Sequence, residues 1–201
     1  MSSDDHSQAF HTANDHVNNG RLNDALAIFV KLQESDLDTF GKSMACVNAA
    51  IVCDKLGQVD QALDWYDRGI KLERTLGRYF VAQHKINYCV EKSRHDDALA
   101  IITALVDSDI SDLDKANACL NAATVCDKLG QQGKALDWYD RGIKYEFPHH
   151  RYYVAEHKAV YLAGKGRTKE SLRIYDRLSR EPSLTESDKD RIRKNISLLQ
   201  K

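Results

Sequence analysis

An all-α solenoid of about five helix-turn-helix units, closed by a C-terminal helix, is the fold this sequence predicts, and three observations predict it. Residues 46–73 (CVNAAIVCDKLGQVDQALDWYDRGIKLE) recur as residues 119–146 (CLNAATVCDKLGQQGKALDWYDRGIKYE), identical at 22 of 28 positions at an offset of 73. A finer period of 36–37 residues separates the Ala-Leu pairs at 25–26, 62–63, 98–99 and 135–136 and the Ser171-Leu172 pair. Fixed periods of this size are the signature of stacked repeats that bury their apolar faces against one another. Two prolines, Pro148 and Pro182, are all that the 201 residues contain, so little interrupts the helices.

The units follow in order. The first, about residues 5–38, is placed by Asp24-Ala25-Leu26-Ala27-Ile28, which aligns with Asp97-Ala98-Leu99-Ala100-Ile101 at the long offset. The second, about 41–75, has a first helix ending at the turn Lys55-Leu56-Gly57-Gln58. Its second helix carries Ala62, Leu63, Tyr66 and Ile70 on one face of a 3.6-residue period. The third, about 78–110, begins with Arg78-Tyr79-Phe80-Val81-Ala82-Gln83-His84-Lys85, matched by Arg151-Tyr152-Tyr153-Val154-Ala155-Glu156-His157-Lys158 at the start of the fifth, about 151–181. Between them the fourth, about 114–148, repeats the second, turning at Lys128-Leu129-Gly130-Gln131. Beyond Pro182, a helix over 184–200 is predicted from the stripe Leu184, Ile192, Ile196, Leu199, with Thr185 as N-cap; it reads as a cap over the last unit. All of this is expected to form one domain over residues 1–201.

The second and fourth units resemble the tetratricopeptide-repeat (TPR) family. Aligned through Lys55-Leu56-Gly57, Ala49 and Ala50 stand at the Leu-Gly positions of that family's pattern and Cys53 at the first-helix aromatic position. Ala62, Tyr66 and Gly69 stand at the small, aromatic and small positions of the second helix; the fourth unit offers Ala122, Ala123, Cys126, Ala135, Tyr139 and Gly142. Departures are Cys46 and Cys119 at the tryptophan position, the absent closing proline, a spacing of 36–37 where the family has about 34, and Lys85 and Lys158 where an apolar residue is expected. The resemblance implies a non-enzymatic adaptor that binds a peptide or protein segment along a concave wall made by the first helix of each pair. Under the same alignment the sixth position of that helix is His11, Asn48, His84, Asn121 and His157, and the ninth is Asn14, Ile51, Asn87, Thr124 and Val160. Asn14, Asn48, His84, Asn87, Asn121 and His157 are therefore the candidate peptide-binding residues. An asparagine amide both donates and accepts, so a row of them can hold an extended backbone; the competing reading is that they cap or bridge neighbouring helices.

Charged residues make up 29% of the chain with both signs interspersed, and the formal net charge is −1, which argues against nucleic acid or anionic lipid as main partner. No basic and apolar leader is seen at the start and no apolar run approaches the roughly 20 residues needed to span a bilayer; a cytoplasmic protein is expected. Five cysteines form an odd count and are read as reduced, buried thiols. No cofactor, no metal site and no catalytic residue is predicted. His149, His150 and His157 are weighed as metal ligands and set aside, because the first two follow Pro148 in a connection; no phosphate loop or nucleophile elbow is present. Trp65, Tyr66, Trp138 and Tyr139 are expected in the core, and Asp64, Asp67, Asp137 and Asp140 on a solvated face. Self-assembly through terminal repeats, giving a homo-oligomeric scaffold, is the alternative to peptide binding. Asn14 and Asn48 fall at the asparagine positions of the family's carboxylate clamp, but Phe80 and His84 occupy the basic positions, so recognition independent of a free C-terminal carboxylate is expected.

Overall fold

A computed structural model describes residues 3–200. Eleven α-helices and two short 3-10 turns, with no strand, make up the regular structure among the described residues. The helices are α1 (Ser3–Asn18), α2 (Leu22–Glu34), α3 (Thr39–Lys55), α4 (Val59–Glu73), α5 (Phe80–Glu91), α6 (His95–Val106), α7 (Asp112–Lys128), α8 (Gln132–Glu146), α9 (Tyr153–Gly164), α10 (Thr168–Ser179) and α11 (Glu186–Leu199). Five pairs and a final helix are thus present as the periods predict. The chain divides into two compact units, Met1–Ile101 and Ile102–Lys201, with the division inside α6.

In the first unit, α3 packs against α4 and α2, and α4 against α5. The core there is built from small residues of α3 (Ala45, Cys46, Ala49, Ala50, Cys53) and the larger Phe29, Trp65 and Tyr66 from second helices. Gly69 shows why a small residue is required: a Cβ there would lie 2.8 Å from Val81 Cγ1 and 3.1 Å from Cys46 Cβ. Gly142 of the second unit is equally enclosed, by Cys119 Cβ at 3.0 Å and Val154 Cγ1 at 3.0 Å. Helices approach this closely only where a side chain is missing. All five cysteines are free and buried. Trp65, Tyr66 and Tyr139 are core residues, whereas Trp138 is half-buried with the Arg141 guanidinium over its ring.

Helix ends are set locally. The Asp38 carboxylate accepts from Gly41 N–H at 2.7 Å to start α3, and Ser111 Oγ from Asp114 N–H at 3.2 Å to start α7. Thr185 caps α11 as expected, and Asp188 returns the bond to the Thr185 N–H, a complete capping box. Ile192 of α11 is fully buried, and Leu184, Ile196 and Leu199 pack onto Tyr175 and Leu178 of α10. After α4 and α8 the chain makes 3-10 turns (Arg74–Leu76 and Phe147–His149) that end in left-handed residues, Gly77 in one and His150 in the other.

The junctions into α5 and α9 hold a feature the sequence reading missed. Glu73, last residue of α4, is buried and accepts from the Val81 and Ala82 N–H groups at 2.7 and 3.0 Å. Glu146, last residue of α8, accepts from Val154 and Ala155 N–H at 2.8 and 2.9 Å. Each carboxylate thus satisfies two donors that a helix N-terminus leaves without intrahelical partners. Burial raises both carboxyl pKa values against the lowering effect of those bonds, Glu146 to about 7. Lys85 and Lys158, anomalous in the repeat pattern, pair with Asp67 and Asp140 of the preceding helix at 2.6 and 2.5 Å. Two of the four aspartates expected on a solvated face are therefore bound to lysine.

Candidate peptide-binding faces

On the first unit, one face of α3 and one of α5 flank an open cleft of about 360 Å³. Ile51 and Asp54 line it from α3, and His84, Asn87, Tyr88 and Glu91 from α5, with Tyr66 of α4 beneath. The α5 residues lie three or four apart, on one side of the helix. Tyr66 and Tyr88 are buried with ring centroids 5.5 Å apart, so the cleft has an aromatic floor. Burial first, then nearby groups including the Asp54 carboxylate, hold the Tyr88 phenol up to about 12. Asp54 is paired with Lys92 at 2.6 Å, and that ammonium also lies 5.4 Å from the Tyr88 ring centroid.

Toward the starts of the same helices the wall turns apolar. Phe40 and Phe80 are 41% and 37% exposed and lie 6.3 Å apart, and the Arg78 guanidinium stands over Phe40 at 5.1 Å. The His84 ring is edge-on to Phe80 at 4.6 Å, so this histidine joins the aromatic ledge to the cleft. Burial lowers its pKa, which favours the neutral ring.

Of the residues singled out from the sequence, His84 and Asn87 share this cleft. Asn87 is exposed, and its amide oxygen accepts from Gln83 at 3.1 Å. Asn48 is half-buried, does not line the cleft, and donates to the Met44 carbonyl of its own helix at 3.0 Å. Asn14 is exposed on α1.

In the second unit Asn121 is half-buried on α7, and His157 of α9 bonds to the Tyr153 carbonyl at 2.8 Å, its ring tilted against the Tyr153 ring at 4.1 Å. Tyr153 and Val160 flank it, 56% and 60% exposed. Both units therefore present apolar side chains beside the polar ones. The sixth and ninth positions show only part of this, Ile51 and Val160, because Phe80 and Tyr153 stand one turn before the sixth and Phe40 two turns before it. A signal was available: large apolar residues at first-helix positions that precede the small core residues.

Residues 45–78 match the family model described as tetratricopeptide repeat. None of the curated proteins compared with the chain matches it. Among solved structures, PilF of Pseudomonas aeruginosa is similar, with a TM-score of 0.55 at 12% identity over 96% of this chain and 88% of that one. A tetratricopeptide repeat protein of Parabacteroides merdae gives 0.56 at 15% identity, over 97% and 73%. At these identities the likeness is one of fold.

Proposed function

We propose that the chain is a tetratricopeptide-repeat protein, a reading supported by the family match over residues 45–78 and by the fold likeness, and that it is a non-enzymatic adaptor. It holds a segment of another protein against the exposed faces of α3 and α5, and of α7 and α9. The observation that carries this reading is the exposure of large apolar side chains beside polar ones on first helices: Phe40, Ile51 and Phe80 in the first unit, Tyr153 and Val160 in the second. Apolar area left in water costs about 25 cal/mol per Å², and a partner that covers it recovers that energy. His84, Asn87 and His157 sit among these side chains, where amide and imidazole groups can fix the segment's backbone. Asn14, Asn48 and Asn121 remain part of the proposed wall, Asn48 with one amide hydrogen already engaged by its own helix. A reading as an adaptor also agrees with the groups that could do chemistry: the cysteine thiols are buried and raised in pKa, which suppresses nucleophilicity.

The test is affinity capture with the intact chain, followed by mass spectrometry, run beside a Phe80→Asp, Val160→Asp variant and a control with Asp64→Ala on the opposite helix. The reading expects partners retained by the control and lost from the wall variant. Partners retained by both would place binding elsewhere.

A second reading has its own observation. An apolar groove of about 370 Å³ between α1 and α2, lined by Ala9, Thr12, Ile28 and Leu32, is open at the first pair. Stacking of copies through this end would fill it, and light scattering that stays at the monomer mass across concentrations would dismiss it.

A further inference from the structure

We infer that the cleft between α3 and α5 takes the lysine or arginine side chain of the bound segment, with an apolar residue of that segment on the Phe40–Phe80 ledge; this rests on the α3–α5 wall being the binding face. The argument begins with Glu91. It is the last residue of α5, exposed, and no ion pair holds it among the described residues. The last turn of α5 carries no basic residue. A carboxylate at the negative end of a helix dipole is disfavoured by about 0.3–1 kcal/mol, so folding alone gives no reason for it. A cation seated beside it would reverse that sign.

The surroundings suit a cation. Tyr66 and Tyr88 form the floor, and one ammonium, that of Lys92, already lies over Tyr88. Tyr88, 5% exposed, lines the cleft with the Asp54 carboxylate beside its buried hydroxyl. Burial favours the neutral form of His84, the form that does not oppose a positive ligand. Lys55 also lines the cleft and is the opposing charge; its place in the last turn of α3, where a cation is favoured by the helix dipole, accounts for it within the fold. Lys92 is held by Asp54.

The repeat itself supplies the contrast. At the 73-residue offset Asp54, Tyr66, His84 and Tyr88 return as Asp127, Tyr139, His157 and Tyr161, whereas Ile51, Asn87 and Glu91 become Thr124, Val160 and Gly164. The framework is kept and the outward-facing groups are changed, so the charge preference belongs to the first unit. From Phe80 to Glu91 along α5 is about 16 Å at 1.5 Å per residue. An extended segment covers that in about five residues, so the apolar and basic residues of the ligand should stand three to five apart.

The probe is a library of random twelve-residue peptides displayed on phage and selected on the immobilised full chain, with binders then measured against Glu91→Lys, Glu91→Gln and Phe80→Ala variants. Far-ultraviolet spectra and urea midpoints matching the parent establish that each variant folds. The expected pool is enriched in Lys or Arg three to five residues from a large apolar residue, loses at least tenfold in affinity with Glu91→Lys, and loses less with Glu91→Gln. Peptides that weaken with Phe80→Ala yet show no basic preference and ignore both Glu91 variants would overturn the charge assignment while leaving the wall as the binding face. Peptides indifferent to Phe80 and Glu91 alike would overturn both.

Discussion

Replacing Glu146 tests the joints that hold one helix pair to the next. Its carboxylate is 1% exposed and accepts two backbone N–H bonds from the start of α9. Glu146→Ala removes both acceptors and leaves Val154 and Ala155 donating to nothing, at about 1–3 kcal/mol for each buried donor. The expected loss is about 3–5 kcal/mol near pH 5, where the folded-state carboxyl is protonated, and it narrows as pH rises and the parent's own stability falls. Glu146→Gln separates geometry from charge. The folded-state pKa is raised from 4.5 to about 7, chiefly by burial. The folded protein therefore binds the proton more tightly than the unfolded chain, and the parent loses stability as pH rises from about 4.5 to 7 and levels off above. Allowing for partial solvent screening, the decline attributable to this group is about 1–3 kcal/mol. Glutamine cannot titrate, so its variant should lack this part of the decline and gain on the parent between about pH 5 and pH 8. Urea unfolding followed by Trp138 fluorescence in a Trp65→Phe background reads the second unit. An alanine variant within about 1 kcal/mol of the parent at pH 5, below the cost of one orphaned donor, or parallel pH profiles for parent and glutamine variant, would refute this account of the junction.

Other expectations follow from single positions. Gly69→Ala places a methyl 2.8 Å from Val81 Cγ1, and should cost about 1–3 kcal/mol of first-unit stability by urea unfolding. Ser93 adopts φ 59°, where its counterpart at the 73-residue offset is Gly166 at φ 74°; Ser93→Gly should raise stability by about 0.5–1 kcal/mol, since a non-glycine residue is disfavoured there. Deleting residues 184–201 removes Ile192 from Tyr175 and Leu178 and should produce aggregation visible by light scattering, since a repeat without its cap exposes apolar area. A binding peptide and its C-terminal amide should differ by less than tenfold in affinity by calorimetry, because Phe80 and His84 supply no permanent cation for a terminal carboxylate.

The helix pairs could be read from the sequence because the duplicated segments keep the small residues that set close packing, Ala49, Ala50, Ala62 and Gly69, and their counterparts at 73 further on. Thr185 was legible because capping depends on residues three apart. Glu73 and Glu146 were not, although both end the duplicated segment: an acidic residue in a last helical turn reads as a solvent-facing misfit, and only the next helix, eight residues away, explains it. Lys85 and Lys158 looked like departures from the pattern for the same reason, since their aspartate partners stand 18 residues back on another helix. The candidate face was legible in part. Position counting found His84 and Asn87, but it could not show that Asn48 turns to its own backbone, or that Phe40 and Phe80 make an exposed ledge beside them.

Hydrogen exchange of the intact chain, with and without a selected peptide, measures the central claim most directly, because amide protection reports which helices the ligand covers. The account predicts slower exchange in α3 and α5 for first-unit ligands, or α7 and α9 for second-unit ligands, with α4 and α8 little changed. Protection confined to α4 or α8, or to the α1–α2 groove, would contradict it.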